Sequence, residues 1–364
     1  MKSVYLLLLA LPRASSFVLP RADCTHRHVP RSALRDPTGE KYLQVDRGSW
    51  GVNATTLPPS LDERMFSYVS ELWHMTRPHN IPVVSLMHML GIYFVVEQAG
   101  LRGMYWSVLL AQPSSWVAWG ALVLGVSSSM VINDYFDAKL GRDPDGLVTS
   151  GRVPVAVVKR FCTILYALGA INLALIPVLS SRLLVLAFFF ATYSYTHYLK
   201  PVTWIKTLVC ALIIGGTPVI SAWTASGQLG LNYALPSLWR FVGAFSLCVV
   251  GREVIMDCDD VVDDRKSGIR TIPVVYGRRF ATRVALAATV SSGILFVMGP
   301  LRQLLTNGAT SEVLRKLVLA CVGSAVGTRG AWKVLRTEGR DSSLISSALD
   351  EGLIVIAPLM LSFV

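Results

Sequence analysis

The chain predicts an all-α, polytopic membrane protein with about nine transmembrane helices, and three observations carry that prediction. Of its 364 residues, 52% are hydrophobic and only 16% charged. The mean hydropathy is +0.50, far from the balance of a soluble domain. Apolar windows long enough to cross a bilayer recur at roughly 81–99, 115–133, 154–179, 182–199, 206–226, 237–257, 279–300, 312–332 and 343–364. The last is the least regular, because it holds Asp350 and Glu351.

Ahead of these windows, residues 1–50 read as a targeting presequence rather than as fold. Lys2 is followed by a short apolar run, Val4 to Leu11, and then by Ala14-Ser15-Ser16-Phe17. That run is too short to span a bilayer and has the shape of a signal peptide. The Ser-Phe junction and the basic, hydroxyl-containing stretch after it (Arg21, Arg27, Arg31, Ser32, Arg35) resemble the bipartite presequences of proteins sent to complex plastids of algae. An ordinary secretory signal is the alternative. Residues 51–76 form an amphipathic lead-in, helical near Leu61 to Met75, that would lie on the membrane surface.

The net charge of +11 would suit a nucleic-acid binder. No compact basic patch with interleaved aromatics accompanies it, so no nucleic-acid partner is expected. Membrane loops account for the charge better. If all nine windows cross, the even-numbered ones exit on one face, whose loops hold Lys139, Arg142, Arg152, Lys159, Arg160, Lys200, Lys206, Arg265, Lys266, Arg270, Arg278 and Arg279. The positive-inside rule makes that face cytosol-like. The six cysteines are scattered without CxxC or Cys/His spacing, so neither a zinc site nor a disulfide framework is indicated.

Two acidic stretches emerge on this face. The first is Asn133-Asp134-Tyr135-Phe136-Asp137, followed by Asp143. The second runs from Asp257 to Asp264; its acids at 257, 260 and 264 stand three and four apart, which a helix places on one side. Two carboxylate clusters held together repel unless a cation lies between them, and oxygen-only donors suit hard divalent ions such as Mg²⁺. Such an ion implies a phosphate-bearing substrate.

At these residues the chain resembles the UbiA-type intramembrane prenyltransferases, whose hallmarks are an NDxxD motif and a DxxDxxxD motif after two non-adjacent spans. Arg77-Pro78-His79-Asn80 matches the family's RPxN, and Tyr195 to Lys200 its YxxxxK. Gly268, Thr271 and Gly277 follow the second motif at similar spacing. The resemblance covers roughly 77–364, read as one UbiA-like membrane domain. It implies a metal set of Asn133, Asp134, Asp137, Asp143, Asp257, Asp260 and Asp264. It further implies Asp134, Asp137, Asp257, Asp260 and Lys200 as catalytic groups, with Arg77, Asn80, Asn133, Lys139, Arg152 and Tyr195 on the substrate. Asp143 stands six after Asp137, with Gly141 where the family's third acid usually falls, a spacing similar to the naphthoate-prenylating branch. One departure is plain: Asp145-Gly146 replace the family's Arg-Pro after the first motif, and Arg152 is the compensating cation.

The resemblance implies Mg²⁺-dependent transfer of a prenyl group from an isoprenoid diphosphate to a lipophilic acceptor, an aromatic precursor of a quinone or tocochromanol. Chlorophyll synthase-like esterification of a carboxylate and cyclisation without an acceptor are the enzymatic alternatives. A cation transporter is disfavoured, since its acids would line span interiors rather than gather at one face. Arg252 and Glu253, one turn before the second motif, are expected to pair. The dispersed histidines form no metal cluster, and tryptophans near span ends read as interfacial belts.

Overall fold

The computed structural model describes residues 61–142, 146–230 and 236–363. The presequence therefore lies outside the described residues, and so does Asp143. All regular structure among the described residues is helical. A first helix, α1 (Leu61–Met75), matches the amphipathic lead-in. The apolar windows then become α2 (Ile81–Gln98), α3 (Pro113–Lys139), α4 (Val155–Leu175), α5 (Leu179–Ser194), α6 (Thr203–Gln228) and α7 (Pro236–Asp259). Two short helices, α8 (Val261–Lys266) and α9 (Ile272–Tyr276), precede α10 (Arg278–Asn307), α11 (Ser311–Arg336) and α12 (Ser342–Leu361).

Every expected window coincides with a helix, yet among the described residues six stretches are long and apolar enough to cross a membrane: 68–98, α3, α4, α6, α10 and α12. The other three have physical reasons to fall short of that standard. Helix α5 is only 16 residues long. Helix α7 carries Arg240, Arg252, Glu253, Asp257 and Asp259, and α11 carries Glu312, Arg315, Lys316, Arg329, Lys333 and Arg336. One of the two acids of α12 has an answer: the Lys333 ammonium of α11 meets the Glu351 carboxylate at 2.5 Å, while Asp350 is exposed.

The outward surface is apolar in the way a bilayer demands, with Phe190 71% and Leu212 63% exposed. Trp116, Trp239 and Trp332 are exposed near helix ends, as interfacial belts require.

Within the bundle, α7 and α10 pack along their lengths, α10 continues onto α11, α11 onto α12, α2 onto α6, and α3 onto α4. The principal core is built from Phe94, Phe241, Phe245, Phe296 and Phe363 with the aliphatic residues around them. Backbones approach closely where side chains vanish. A Cβ on Gly91 would stand 2.3 Å from the Pro218 carbonyl oxygen of α6, so α2 and α6 meet there at backbone contact.

Three helices are also tied by one imidazole. His88 of α2 is buried, its Nδ1 2.7 Å from the Ser221 hydroxyl of α6 and its Nε2 3.1 Å from the Ser115 hydroxyl at the start of α3. A buried imidazole with both nitrogens satisfied costs the bundle little, whereas leaving either unpaired would be expensive.

Candidate active site

The first acidic motif occupies the last turns of α3. Asn133 and Asp137 are one helical turn apart and share a side, so the Asn133 amide donates to Asp137 Oδ2 at 2.9 Å. Lys200 closes this pair: its ammonium lies 2.7 Å from Asp137 Oδ2 and 3.4 Å from Asn133 Oδ1. Lys200 is aimed there by a local break in α5, where residues 195–199 wind as a π-turn and the Lys200 amide bonds the Tyr195 carbonyl at 2.6 Å. Such π-turns recur at functional sites because they re-aim the following side chain. The same turn lets the Thr196 hydroxyl donate to Asn133 Oδ1 at 3.2 Å.

Arg77 reaches the site from the other side. Its guanidinium stands 3.3 Å from Asp134 Oδ1, and its backbone is left-handed, at φ 50° and ψ 63°. Proline at 78 already disfavours the ordinary helical region for its predecessor, and a left-handed non-glycine residue stores on the order of 1–2 kcal/mol. Strain of this kind persists where the surroundings fix the geometry. Here the Asp134 contact and the turn into α2 do so.

The second motif is not one continuous helix, which corrects the expected single-sided ladder. Helix α7 ends at Asp259 and α8 begins at Val261, with Asp260 at the break. The break sorts the acids. Asp259 turns outward to accept from the Ser342 hydroxyl at 2.5 Å, and Asp263 is exposed and paired with Lys266. Asp257 and Asp264 are buried.

Asp257 is held by Lys206, whose ammonium contacts Oδ1 in an almost water-free environment; the two side chains are 11% and 2% exposed. Burial raises the Asp264 carboxyl above its ordinary value, against the lowering pull of Lys206 and Lys200. Lys200 thus serves both clusters, bonded to Asp137 and electrostatically felt at Asp264. The Tyr195 side chain lies within electrostatic reach of Asp137, Glu253 and Asp257. The loops after the two motifs also touch, since the Ser267 hydroxyl donates to the Arg142 carbonyl at 3.3 Å and the Arg142 guanidinium to the Thr196 carbonyl at 3.3 Å.

The expected residues therefore divide. Asn133, Asp134, Asp137, Lys200, Arg77, Tyr195, Asp257 and Asp264 are brought to one end of the bundle, with Asp260 at the break between α7 and α8. Asn80 caps α2 without a side-chain capping bond. Arg152 stands exposed in the turn after the first motif and joins no acid among the described residues. Lys139 is two positions beyond Asp137, about 200° around the helix, and lines a groove on the far side of α3 instead. Arg252 and Glu253 do pair, at 2.8 Å.

Lys206, Thr196 and Arg142 were not singled out as site residues. Lys206 is the instructive omission. As the first residue of an apolar window it reads as a flanking loop cation. Helix α6 in fact begins at Thr203, which draws Lys206 a turn into the bundle.

The donor set fits a hard divalent cation. Asp137 Oδ1 and Asp257 Oδ2 are both buried and without a hydrogen-bond partner, while the second oxygen of each carboxylate is taken by a lysine. Among the described residues no three His, Cys, Asp or Glu side chains already converge as a metal shell. A cation held between the motifs would complete its coordination with substrate or water oxygens.

Fold and site together define a helical membrane protein with buried acids and lysines gathered at one end of the bundle. The chain belongs to the UbiA prenyltransferase family, which it matches over residues 101–342. It is 30% identical over 226 residues to the digeranylgeranylglyceryl phosphate synthase of Thermococcus gammatolerans, covering 61% of this chain and 75% of that protein. A solved structure described as a digeranylgeranylglyceryl phosphate synthase in membranes superposes with a TM-score of 0.59 at 19% identity, over 83% of this chain and 97% of the other. A UbiA homologue from Archaeoglobus fulgidus bound to DMAPP and Mg²⁺ shares the fold with a TM-score of 0.52 at 15% identity, over 79% of this chain and 99% of that one.

Proposed function

We propose that this prenyltransferase moves the prenyl group of an isoprenoid diphosphate onto a lipophilic acceptor, with Mg²⁺ as its cofactor. One observation carries the reading: each motif contributes a buried aspartate, Asp137 and Asp257, with one carboxylate oxygen neutralised by a lysine and the other left open. Asn133, Asp134, Asp137, Asp257, Asp260 and Asp264 are the residues that would hold the metal. When bound, Mg²⁺ offsets the charge of the diphosphate leaving group. Lys200, Lys206 and Arg77 supply further positive charge at the same end. The C–O bond to the diphosphate breaks, its electrons leave with the diphosphate, and the acceptor's nucleophilic atom takes the prenyl carbon and loses a proton. The A. fulgidus homologue bound to DMAPP and Mg²⁺ supports this donor and this ion.

For the acceptor, the spacing of Asp137, Gly141 and Asp143 supports an aromatic ring of a quinone or tocochromanol precursor. A second reading is favoured by the relatives: a glyceryl phosphate carrying one prenyl chain, as the name digeranylgeranylglyceryl phosphate synthase implies. Residues 1–50 support delivery to a complex plastid, with the motif face toward the stroma, residues 51–76 as lead-in and 77–364 as the catalytic domain.

The test is pyrophosphate release by purified protein with Mg²⁺ and geranylgeranyl diphosphate. It is run alone, with homogentisate, dihydroxynaphthoate or chlorophyllide, and with geranylgeranylglyceryl phosphate. Release that needs one acceptor, together with Asp137 and Asp257, assigns that acceptor class. Acceptor-independent release makes the protein a cyclase, and no release in any arm refutes the donor assignment.

A further inference from the structure

On the outer side of α3, away from Asn133 and Asp137, a groove of about 770 Å³ runs between α3, α4 and α5. That volume is within the usual range for small-molecule sites, about 300–1,000 Å³. Its two ends differ. At the motif end stand Lys139, in the last turn of α3, and Lys159, in the first turns of α4; both are exposed, and neither ammonium is ion-paired among the described residues. Among the described residues no acid lines the groove, and below the lysines its wall is mainly aromatic and aliphatic, with Phe136, Phe190 and Leu186, interrupted by Thr163 and Tyr166. From Lys159 to Ala167, the lowest lining residue of α4, the groove descends roughly 12 Å along the helix.

A polar cationic mouth at the interface above an apolar trough fits an anionic amphiphile, and its outward opening toward the hydrocarbon makes the bilayer the source. The groove also touches the motif from behind. Phe136, between Asp134 and Asp137 in sequence, forms part of the groove wall and packs its ring 4.8 Å from the His197 ring. His197 follows Thr196, the residue that holds Asn133.

We propose that this groove is a binding site for an anionic glycerophospholipid of the surrounding bilayer. Its phosphate sits between Lys139 and Lys159, one acyl chain lies along the aromatic trough, and its occupancy steadies the motif-bearing turn of α3. The proposal does not depend on which acceptor the enzyme uses.

The experiment is native mass spectrometry of delipidated protein with phosphatidylglycerol, phosphatidylcholine or inorganic phosphate, on the wild type, Lys139→Gln/Lys159→Gln and Ala167→Trp. The wild type is expected to retain phosphatidylglycerol over phosphatidylcholine by roughly tenfold to thirtyfold, the preference two interfacial lysines confer. The double-glutamine variant should lose that preference. Ala167→Trp, which leaves the lysines intact and fills the trough, should lower retention of long-chain phosphatidylglycerol. Each variant's melting temperature in detergent without lipid establishes that it is folded. Equal retention of the two lipids by the wild type overturns the proposal, as does an unchanged preference in the double variant. Displacement of phosphatidylglycerol by inorganic phosphate at equal concentration overturns it too, because it would reduce the site to a free-anion contact without a lipid trough.

Discussion

Replacing Lys206 by methionine removes the counter-charge of the most deeply buried acid in the site. Asp257 is 2% exposed and its Oδ2 has no hydrogen-bond partner, so Lys206 on Oδ1 is the carboxylate's main compensation in the metal-free protein. Unit charges at contact in an effective dielectric of about 20 attract by on the order of 5 kcal/mol. Removing one partner of a buried pair costs about 3–5 kcal/mol, because the remaining charge is stranded. In a chain of this size that loss appears as a fall on the order of 10 °C in apparent melting temperature. The measurement is a thermal melt in detergent, without divalent ions, on the wild type, Lys206→Met and Lys206→Met/Asp257→Leu. The double variant should recover most of the loss, since an apolar pair of similar volume replaces a buried ion pair at little cost. A single variant that melts within about 2 °C of the wild type, or a double variant no more stable than the single, would refute the reasoning.

Four further outcomes are expected. Lys200→Gln, which leaves Asp137 and Asn133 without their shared cation, should lower kcat/KM for the prenyl diphosphate by roughly 10²-fold, in line with loss of one charge-stabilising donor, with pyrophosphate release as the readout. Arg77→Gly relaxes a left-handed backbone but removes the Asp134 contact; the variant should melt no lower than the wild type while pyrophosphate release falls, a split that an ordinary surface arginine would not show. Because burial raises the Asp264 carboxyl above the ordinary carboxylate range, protons compete there with a divalent ion. Apparent Mg²⁺ affinity, read by titrating the thermal shift, should weaken as pH falls from 7 toward 5. In the metal-free protein the sign is opposite for this group: a raised carboxyl destabilises the fold when ionised, and that cost disappears as pH drops through its folded value. Gly91→Ala forces a Cβ against the Pro218 carbonyl oxygen of α6, which is backbone and cannot swing away; a loss of about 1–3 kcal/mol is expected in the same melt.

The bundle and the acid clusters were legible because they obey local rules. Long apolar runs in a membrane protein have no stable alternative to helix, and acids gathered at the ends of such runs stand out against their surroundings. What stayed hidden depends on where a helix begins or breaks. Lys206 looks like a loop cation until α6 is seen to start at Thr203. The acids at 257, 260 and 264 look like one ladder until α7 is seen to end at Asp259, which sends Asp259 to Ser342 and keeps Asp257 and Asp264 inside. Lys139 carries the right charge at the right end, but its angular position relative to Asp137 directs it to the outer groove. Arg77 was recognisable from the motif around it, whereas its left-handed backbone was not, since proline at 78 restricts that residue without selecting the strained region.

The imidazole lock at the far end of α3 has a mechanical consequence. Ser115 and Asn133 are about 27 Å apart along the helix axis, so α3 is a lever with its fulcrum at His88 and its working tip in the acid cluster. A tilt of about 2° at the fulcrum moves the tip by roughly 1 Å, a displacement that can cost about a hundredfold in rate where reacting groups must be aligned. Two serine hydroxyls at the opposite end of the bundle therefore set the aim of carboxylates they never touch.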